Sequence, residues 1–403
     1  MCVTNFSLFR SFRHRNYRLY FGGQLVSLTG TWMQATAQQW LVAKRLAGSP
    51  LQVGLVVTAA TLPVFLFAMF GGALADRFPK RKLLVAAQTL AMFQAAGLCL
   101  LTALGHIQIW QVMCFAACLG CVNAIEMPTR HAFVVEMVGK EDLHNAIALN
   151  SSLFHLGRVI GPAFAGELIH LVGEAWCFGL NSLSFLAVIA GLLAMRLDDV
   201  RSASRQGSLR EHLKAGVGYA WRTPLIRTIL LLIAVSSLTG AAPLVLLPVF
   251  AKDVFHVGSQ GYGYLLTASG VGSLAGAVFM GSRGKPAGLK RVVLWGCVGL
   301  GIALVCFAQA PFYWTAAALL IPVGFCFMVV MPGCNTLIQL AAPDAMRGRI
   351  MAVYSALFMG MNALGPLIAG SLAKWQGAPV AVTVMGLCCL TGALLPARAI
   401  SRI

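Results

Sequence analysis

Long apolar runs separated by short polar connections fill almost the whole chain. Twelve of them reach membrane-spanning length, at 19–42, 52–75, 83–104, 108–128, 146–171, 175–195, 226–249, 260–281, 291–309, 313–340, 350–373 and 379–396. A helix needs about 20 apolar residues to cross ~30 Å of hydrocarbon. No run alternates as a barrel strand does, and lipid admits only helices or closed barrels because every backbone polar group must be satisfied internally. The pattern predicts an all-α integral membrane fold of twelve transmembrane helices.

The pattern repeats. Nine of the 23 residues from Ser151 to Gly173 are identical, without a gap, to those 204 positions later. The match includes Gly161-Pro162 against Gly365-Pro366. Ser27-Leu-Thr-Gly30 returns as Ser237-Leu-Thr-Gly240, and Gly54, Thr58 and Ala59 return as Gly263, Thr267 and Ala268. Six spans are duplicated in parallel orientation, which predicts two six-helix bundles at 19–195 and 226–396. A basic lead-in at 1–18, a linker at 196–225 and a tail at 397–403 complete the expected organisation. On one helical face, Ser151, His155, Arg158, Pro162 and Gly166 correspond to Ser355, Met359, Asn362, Pro366 and Gly370, so only the first half is ionisable there.

Composition sharpens this picture. The chain has 403 residues, 59% hydrophobic and 10% charged, well below the ~25% charged of an ordinary globular domain. The net charge of +18 would suggest nucleic acid, but 25 of the 30 Lys and Arg residues fall on the side of the termini and the even-numbered connections. That is the positive-inside distribution, and it places both termini in the cytoplasm of a multi-pass protein. Nucleic acid is not an expected partner; the lipid bilayer and a small-molecule substrate are. The twelve cysteines lie scattered in apolar runs as small hydrophobes. Cys114, Cys118 and Cys121 share a face, but no metal site is expected there or at Met127-Pro-Thr-Arg-His131.

After span 2 comes Gly72-Ala-Leu-Ala-Asp76-Arg77-Phe-Pro-Lys80-Arg81-Lys82. An acid at a helix end beside a basic turn can act as a latch with made and broken states. These residues resemble the loop 2–3 signature of the major facilitator superfamily, with Pro79 where that family usually has glycine. Gly161-Pro162 with Gly166 resembles the superfamily's antiporter motif. Independently, Gly157, Gly161 and Ala165 allow a close backbone approach, and Pro162 permits a bend. Asn16-Tyr-Arg-Leu-Tyr-Phe21, Ser27–Gln34, Asn123–Arg130 and Asn145–Asn150 make the chain similar to the enterobactin-exporter and macrolide-efflux branch over residues 10 to 395. The resemblance implies two bundles rocking about a central cavity, and export driven by proton entry. Gly72, Asp76, Arg77, Lys80 and Arg81 would form its cytoplasmic gate. The second half has Lys285 where Asp76 would stand, so the latch is one-sided.

Span 1 carries Gln24, Ser27, Thr31, Gln34 and Gln38 at three-to-four spacing. Such a stripe faces a wet cavity or bonds to a partner helix, not acyl chains. The cavity is the favoured reading, with Gln34, Gln38, Asn123 and Asn362 contacting substrate. Glu126, His155, Arg158 and Glu167 are the ionisable residues well inside spans. A charge at a helix centre costs at least ~2.5 kcal/mol, which makes each a functional candidate. Spans 4 and 5 are consecutive antiparallel helices, so Glu126 and Arg158 are expected to pair at similar depth, with His155 one turn toward the cytoplasm. A static lock, or a Glu126–Arg130 contact at i, i+4, is the alternative. Glu167 is expected to reach water at the outer end.

The sequence thus points to a secondary exporter of the bacterial inner membrane, not an enzyme. It is expected to work as a monomer without a cofactor, exchanging protons through Glu126, Arg158 and His155 for a siderophore or similar amphipathic molecule. A broad drug or macrolide pump, and an uncoupled facilitator or importer, are the alternatives.

Overall fold

The computed structural model describes residues 10–139, 141–195, 217–240, 242–283 and 288–400. Residues 1–9 of the lead-in, 196–216 of the linker, Lys285 and tail residues 401–403 lie outside the described residues. Every regular element within them is helical. The first six are α1 (Arg15–Trp40), α2 (Pro50–Arg77), α3 (Lys80–Ala103), α4 (Ile109–Val138), α5 (Leu143–Val172) and α6 (Glu174–Ala194). Then come α7 (Pro224–Gly240), α8 (Ala242–Val249), α9 (Ser259–Ser282), α10 (Leu289–Ala308), α11 (Tyr313–Ala341), α12 (Asp344–Gln376) and α13 (Ala378–Ile400).

Local chemistry sets the helix ends. Ser49 and Gln52 form a reciprocal capping box at the start of α2, with Pro50 at the first helical position. Helices α4, α5 and α12 stop at Gly139, Gly173 and Gly377, whose φ angles of 71°, 91° and 86° suit glycine alone. Pro128 does not end α4, which runs past the apolar span to Val138, two residues beyond the extended helix end expected at Glu136. Both α1 and α8 leave through a widened turn, Leu46 N–H donating to Leu41 O and Phe255 N–H to Phe250 O, both at 2.9 Å. The two turns are 209 residues apart, the spacing of the sequence repeat.

Nine of the described helices are long and apolar enough to cross a membrane, counting 224–254 as one. A shorter apolar stretch lies in α13, at Ala378–Leu394. Helices α1 and α5 fall below that level of hydropathy because they carry polar groups, and those groups are buried in protein: Gln24, Ser27, Gln34, Gln38 and His155.

The same packing occurs twice. Helix α1 lies against α5 and α6, α2 against α4, and α3 against α4 and α6. Correspondingly, α7 lies against α12 and α13, α9 against α11, and α10 against α11 and α13. The two sets meet through α2 on α12 and α5 on α9. One apolar cluster crosses between them at a single end, joining Trp40, Leu41, Val53 and Ala165 to Phe250, Tyr262, Leu320 and Ala369. At the other end each set has its own cluster, around Tyr17, Phe133 and Leu192 or around Ile226, Val330 and Ile350. The assembly is therefore closed at one end and divided at the other, where α1 begins and the α2–α3 and α4–α5 connections lie.

Candidate functional site

The closed end is held by two seams built from the repeated residues. In the first, a Cβ on Gly54 of α2 would strike the carbonyl oxygen of Pro366 in α12, and the Thr58 hydroxyl donates to Ala363 O at 3.0 Å. In the second, a Cβ on Gly263 of α9 would lie 2.5 Å from Pro162 O in α5, and the Thr267 hydroxyl donates to Val159 O at 3.1 Å. Gly370 against Pro50 matches Gly166 against Ser259. Each contact has its counterpart at the repeat offsets. Helices without a side chain at the crossing can approach to backbone contact, the main source of helix adhesion in lipid. Pro162 and Pro366 thus sit at the seams; Gly365 is buried beside them. Gly157 and Gly161 serve another contact, since a Cβ on Gly161 would lie 2.6 Å from Trp32 Cβ in α1.

The seams differ in charge. Glu167 does not simply reach water: its carboxylate accepts from Gln260 Nε2 at 2.8 Å and from Tyr264 OH at 2.5 Å, bridging α5 to α9. The other seam has Ser371, Leu51 and Leu55 at those positions. Lys252 adds a bond across the closed end, donating to Ala43 O at 3.0 Å. The sequence reading noted Gly54 and Thr58 as repeat matches without assigning them a task. It missed Gln260 and Tyr264, which have no repeat partner to mark them.

At the open end the expected latch is not made. Asp76 is exposed and forms no ion pair among the described residues, and Arg77 lies over the Phe78 ring at 6.0 Å. Lys80 is buried and bonds to Glu136 of α4 at 2.6 Å, while Arg81 donates to Leu193 O of α6 at 2.6 Å. The basic turn therefore ties α3 to its own neighbours. A Cβ on Gly72 would meet nothing within 4 Å. Lys80→Met removes the ion pair but leaves the exposed Glu136 hydrated, so it should lower stability by only ~1 kcal/mol, readable as a slightly earlier thermal unfolding midpoint in detergent. Nearby, Asp142 forms an ion pair with Arg10 at 2.6 Å and contacts His14 at 2.9 Å, and Tyr17 OH donates to Ala146 O at 3.1 Å. Two of the stretches that carry the family resemblance, 16–21 and 145–150, thus pack on each other.

The expected Glu126–Arg158 pair does not form. Glu126 is buried and pairs instead with Arg130 one turn along α4, at 3.6 Å. The guanidinium of Arg158 lies over the Trp32 ring, 5.8 Å from its centre. Topology explains this, because α4 and α5 diverge beyond their connection, α4 toward α2 and α3 and α5 toward α1 and α9. These two consecutive helices are not neighbours along their length. His155, one turn from Arg158, is buried with its Nδ1 unpartnered among the described residues.

The glutamine stripe also departs from expectation. Gln34 is 1% exposed, donates to Gln94 Oε1 at 3.0 Å and accepts from Asn181 Nδ2 at 2.8 Å. Gln38 is buried and donates to Val112 O at 3.3 Å. These amides fasten α1 to α3, α4 and α6. Gln34→Leu should cost ~1 kcal/mol or more by leaving Gln94 Oε1 and Asn181 Nδ2 without their partner, without altering which substrate is chosen. Thermal unfolding and a competition series would check the two halves of that statement. Asn123 is half-buried on α4, and Asn362 is half-buried with its amide returned to Phe358 O at 3.1 Å. Cys114, Cys118 and Cys121 are all exposed on α4.

A fold of duplicated helix bundles, with glycine-proline seams and a few buried charges, defines a membrane transporter. A family model described as a transmembrane secretion effector, within the major facilitator superfamily, matches residues 6–401, and the chain belongs to that family. It is 25% identical over 363 residues to the multidrug efflux pump Tap of Mycolicibacterium fortuitum, covering 88% of each. It is 27% identical over 370 residues to the enterobactin exporter EntS of Shigella boydii, covering 92% of this chain and 88% of that one. Among solved structures, a bacterial homologue of the human lysosomal transporter Spinster, described as inward-facing and unoccupied, superposes with a TM-score of 0.75 at 13% identity. That match covers 95% of this chain and 97% of the other. The nucleoside transporter NupG also superposes with a TM-score of 0.75, at 11% identity and covering 95% and 98%. The chain is a multi-pass transporter of the bacterial inner membrane.

Proposed function

We propose that the chain is a proton-coupled exporter that works by alternating access between two six-helix bundles, 19–195 and 226–396, joined by the segment 196–225. Its twelve crossings leave both termini in the cytoplasm, so the divided end faces inward. Lys80, Arg81, Lys82, Arg347 and Arg349 at that end support this orientation. The observation that carries the reading is the pair of repeat-related seams, which close one end only and use small residues that can part and re-form. Substrate enters from the cytoplasm, the inner ends of α2 and α5 then approach the opposite bundle, and the seams separate outward. As that end closes, the exposed Asp76 approaches the N-terminus of α12, where a carboxylate is stabilised by the free backbone N–H groups.

Glu126 is the proposed proton carrier. Protonation cancels its attraction to Arg130 and changes the charge of the pathway in the same step. A small amphipathic molecule such as a siderophore is the proposed cargo, handled by one chain without a cofactor, the proton gradient supplying the energy. The similarity to a multidrug efflux pump supports a second reading in which several unrelated amphipaths are carried. Proteoliposomes holding a pH-sensitive dye test both. Addition of a siderophore or macrolide should move protons with the wild-type chain, and the accepted panel separates the readings. Transport that ignores a collapsed pH gradient would leave an uncoupled facilitator.

A further inference from the structure

We propose that Arg158 and Trp32 form the recognition site for an aromatic organic anion, so that the cargo of this transporter carries a negative charge next to a ring. The inference rests on the exporter reading and names its substrate class. Arg158 stands 15 residues from the start of α5, about 22 Å along the axis and near the middle of the membrane. It is half-buried, and among the described residues it has no carboxylate and no hydrogen-bond partner; its guanidinium lies over the Trp32 ring at 5.8 Å.

Among the described residues the two acids at membrane depth are already engaged, Glu126 with Arg130 and Glu167 with Gln260 and Tyr264. Among the described residues the pathway therefore keeps one uncompensated cation, and a charge so placed costs free energy until an opposite charge arrives. Beside it, Phe154 meets the Trp32 ring edge-on at 5.4 Å and is itself 42% exposed. The unpartnered Nδ1 of His155 lies one turn away. A carboxylate or phenolate would pair with Arg158 in two parallel hydrogen bonds, and its ring would stack within the Trp32–Phe154 corner. In the second half, Asn362 and Met359 occupy the repeat-related positions, so that side offers a neutral wall. A cationic drug would meet like charge, which gives the site selectivity as well as affinity.

The test uses three isosteres, 1-naphthoate, 1-naphthylmethanol and 1-naphthylmethylammonium, titrated calorimetrically into the full chain in lipid nanodiscs against empty discs. Wild type should bind the anion at least about tenfold more tightly than the alcohol, and the ammonium least. Arg158→Gln should erase the difference between anion and alcohol while still binding both weakly, and Arg158→Lys should restore part of it. Equal affinity of wild type and Arg158→Gln for naphthoate, no naphthoate binding by wild type, or a preference for the ammonium would overturn the inference. Efflux of the same three compounds from proteoliposomes separates the two levels. Export of the cation but not the anion would leave the exporter reading standing and remove this one. Arg158-dependent naphthoate binding without transport of any compound would do the reverse.

Discussion

Gly263→Leu is expected to abolish export while leaving the chain folded. A Cβ at this position would lie 2.5 Å from Pro162 O and 3.1 Å from Gly166 Cα, so the α5–α9 seam cannot close around it. Overpacking of this kind costs ~2 kcal/mol, enough to move a two-state equilibrium about thirtyfold. The cost falls on the closed-end conformation alone, because separating the seam removes the clash. The variant should therefore accumulate with that end open, show less than about a tenth of wild-type efflux, and unfold near the wild-type temperature. Gly54→Leu, its repeat partner on the other seam, should behave alike. Wild-type efflux from either variant would mean that the seams need not re-form in the cycle.

Glu126→Gln carries the second large expected effect. The substitution keeps the shape of the side chain and removes both its charge and its ability to take a proton. Arg130 then loses its carboxylate, leaving a buried cation whose uncompensated charge costs ~2 kcal/mol or more. Substrate-driven proton movement should vanish, while downhill substrate flux, which needs no proton, persists at a reduced rate. Coupled proton movement of wild-type size in the variant would reduce Glu126 to a structural partner of Arg130. Arg130→Gln provides the complementary arm, since it leaves the Glu126 carboxylate in place without its cation, and substrate-driven proton movement should slow.

Much of this organisation is legible in the sequence because duplication leaves a mark on residues that geometry will not let vary. Gly161-Pro162 and Gly365-Pro366 repeat since each proline carbonyl receives a glycine from the opposite bundle, Gly263 or Gly54. The helical faces were also readable: Pro162 and Gly166, grouped with Arg158 by spacing alone, do line one seam against α9. Spacing reports which face of a helix is special, but not what stands opposite. For that reason Gln34 and Gln38 read as cavity residues although Gln94, Asn181 and Val112 consume them. The same gap explains the Glu126–Arg158 error, because order along the chain made neighbours of two helices that the packing separates. Lys80 and Arg81 were recognised by their motif, but the motif does not say that Glu136 and Leu193 hold them in this state.

The central claim is that the two repeated seams form the outer gate of one rocking cycle, and hydrogen exchange read by mass spectrometry tests it most directly. Wild type and Gly263→Leu would be compared in nanodiscs over residues 50–58, 159–170, 259–267 and 363–370 at the seams, and over 65–77 and 143–155 at the divided end. The account predicts opposite signs: faster exchange at all four seam stretches in the variant and slower exchange at both inner stretches. Faster exchange confined to α5 and α9, with α2, α12 and the inner stretches unchanged, would contradict it, since the seams would then be two local contacts instead of one gate.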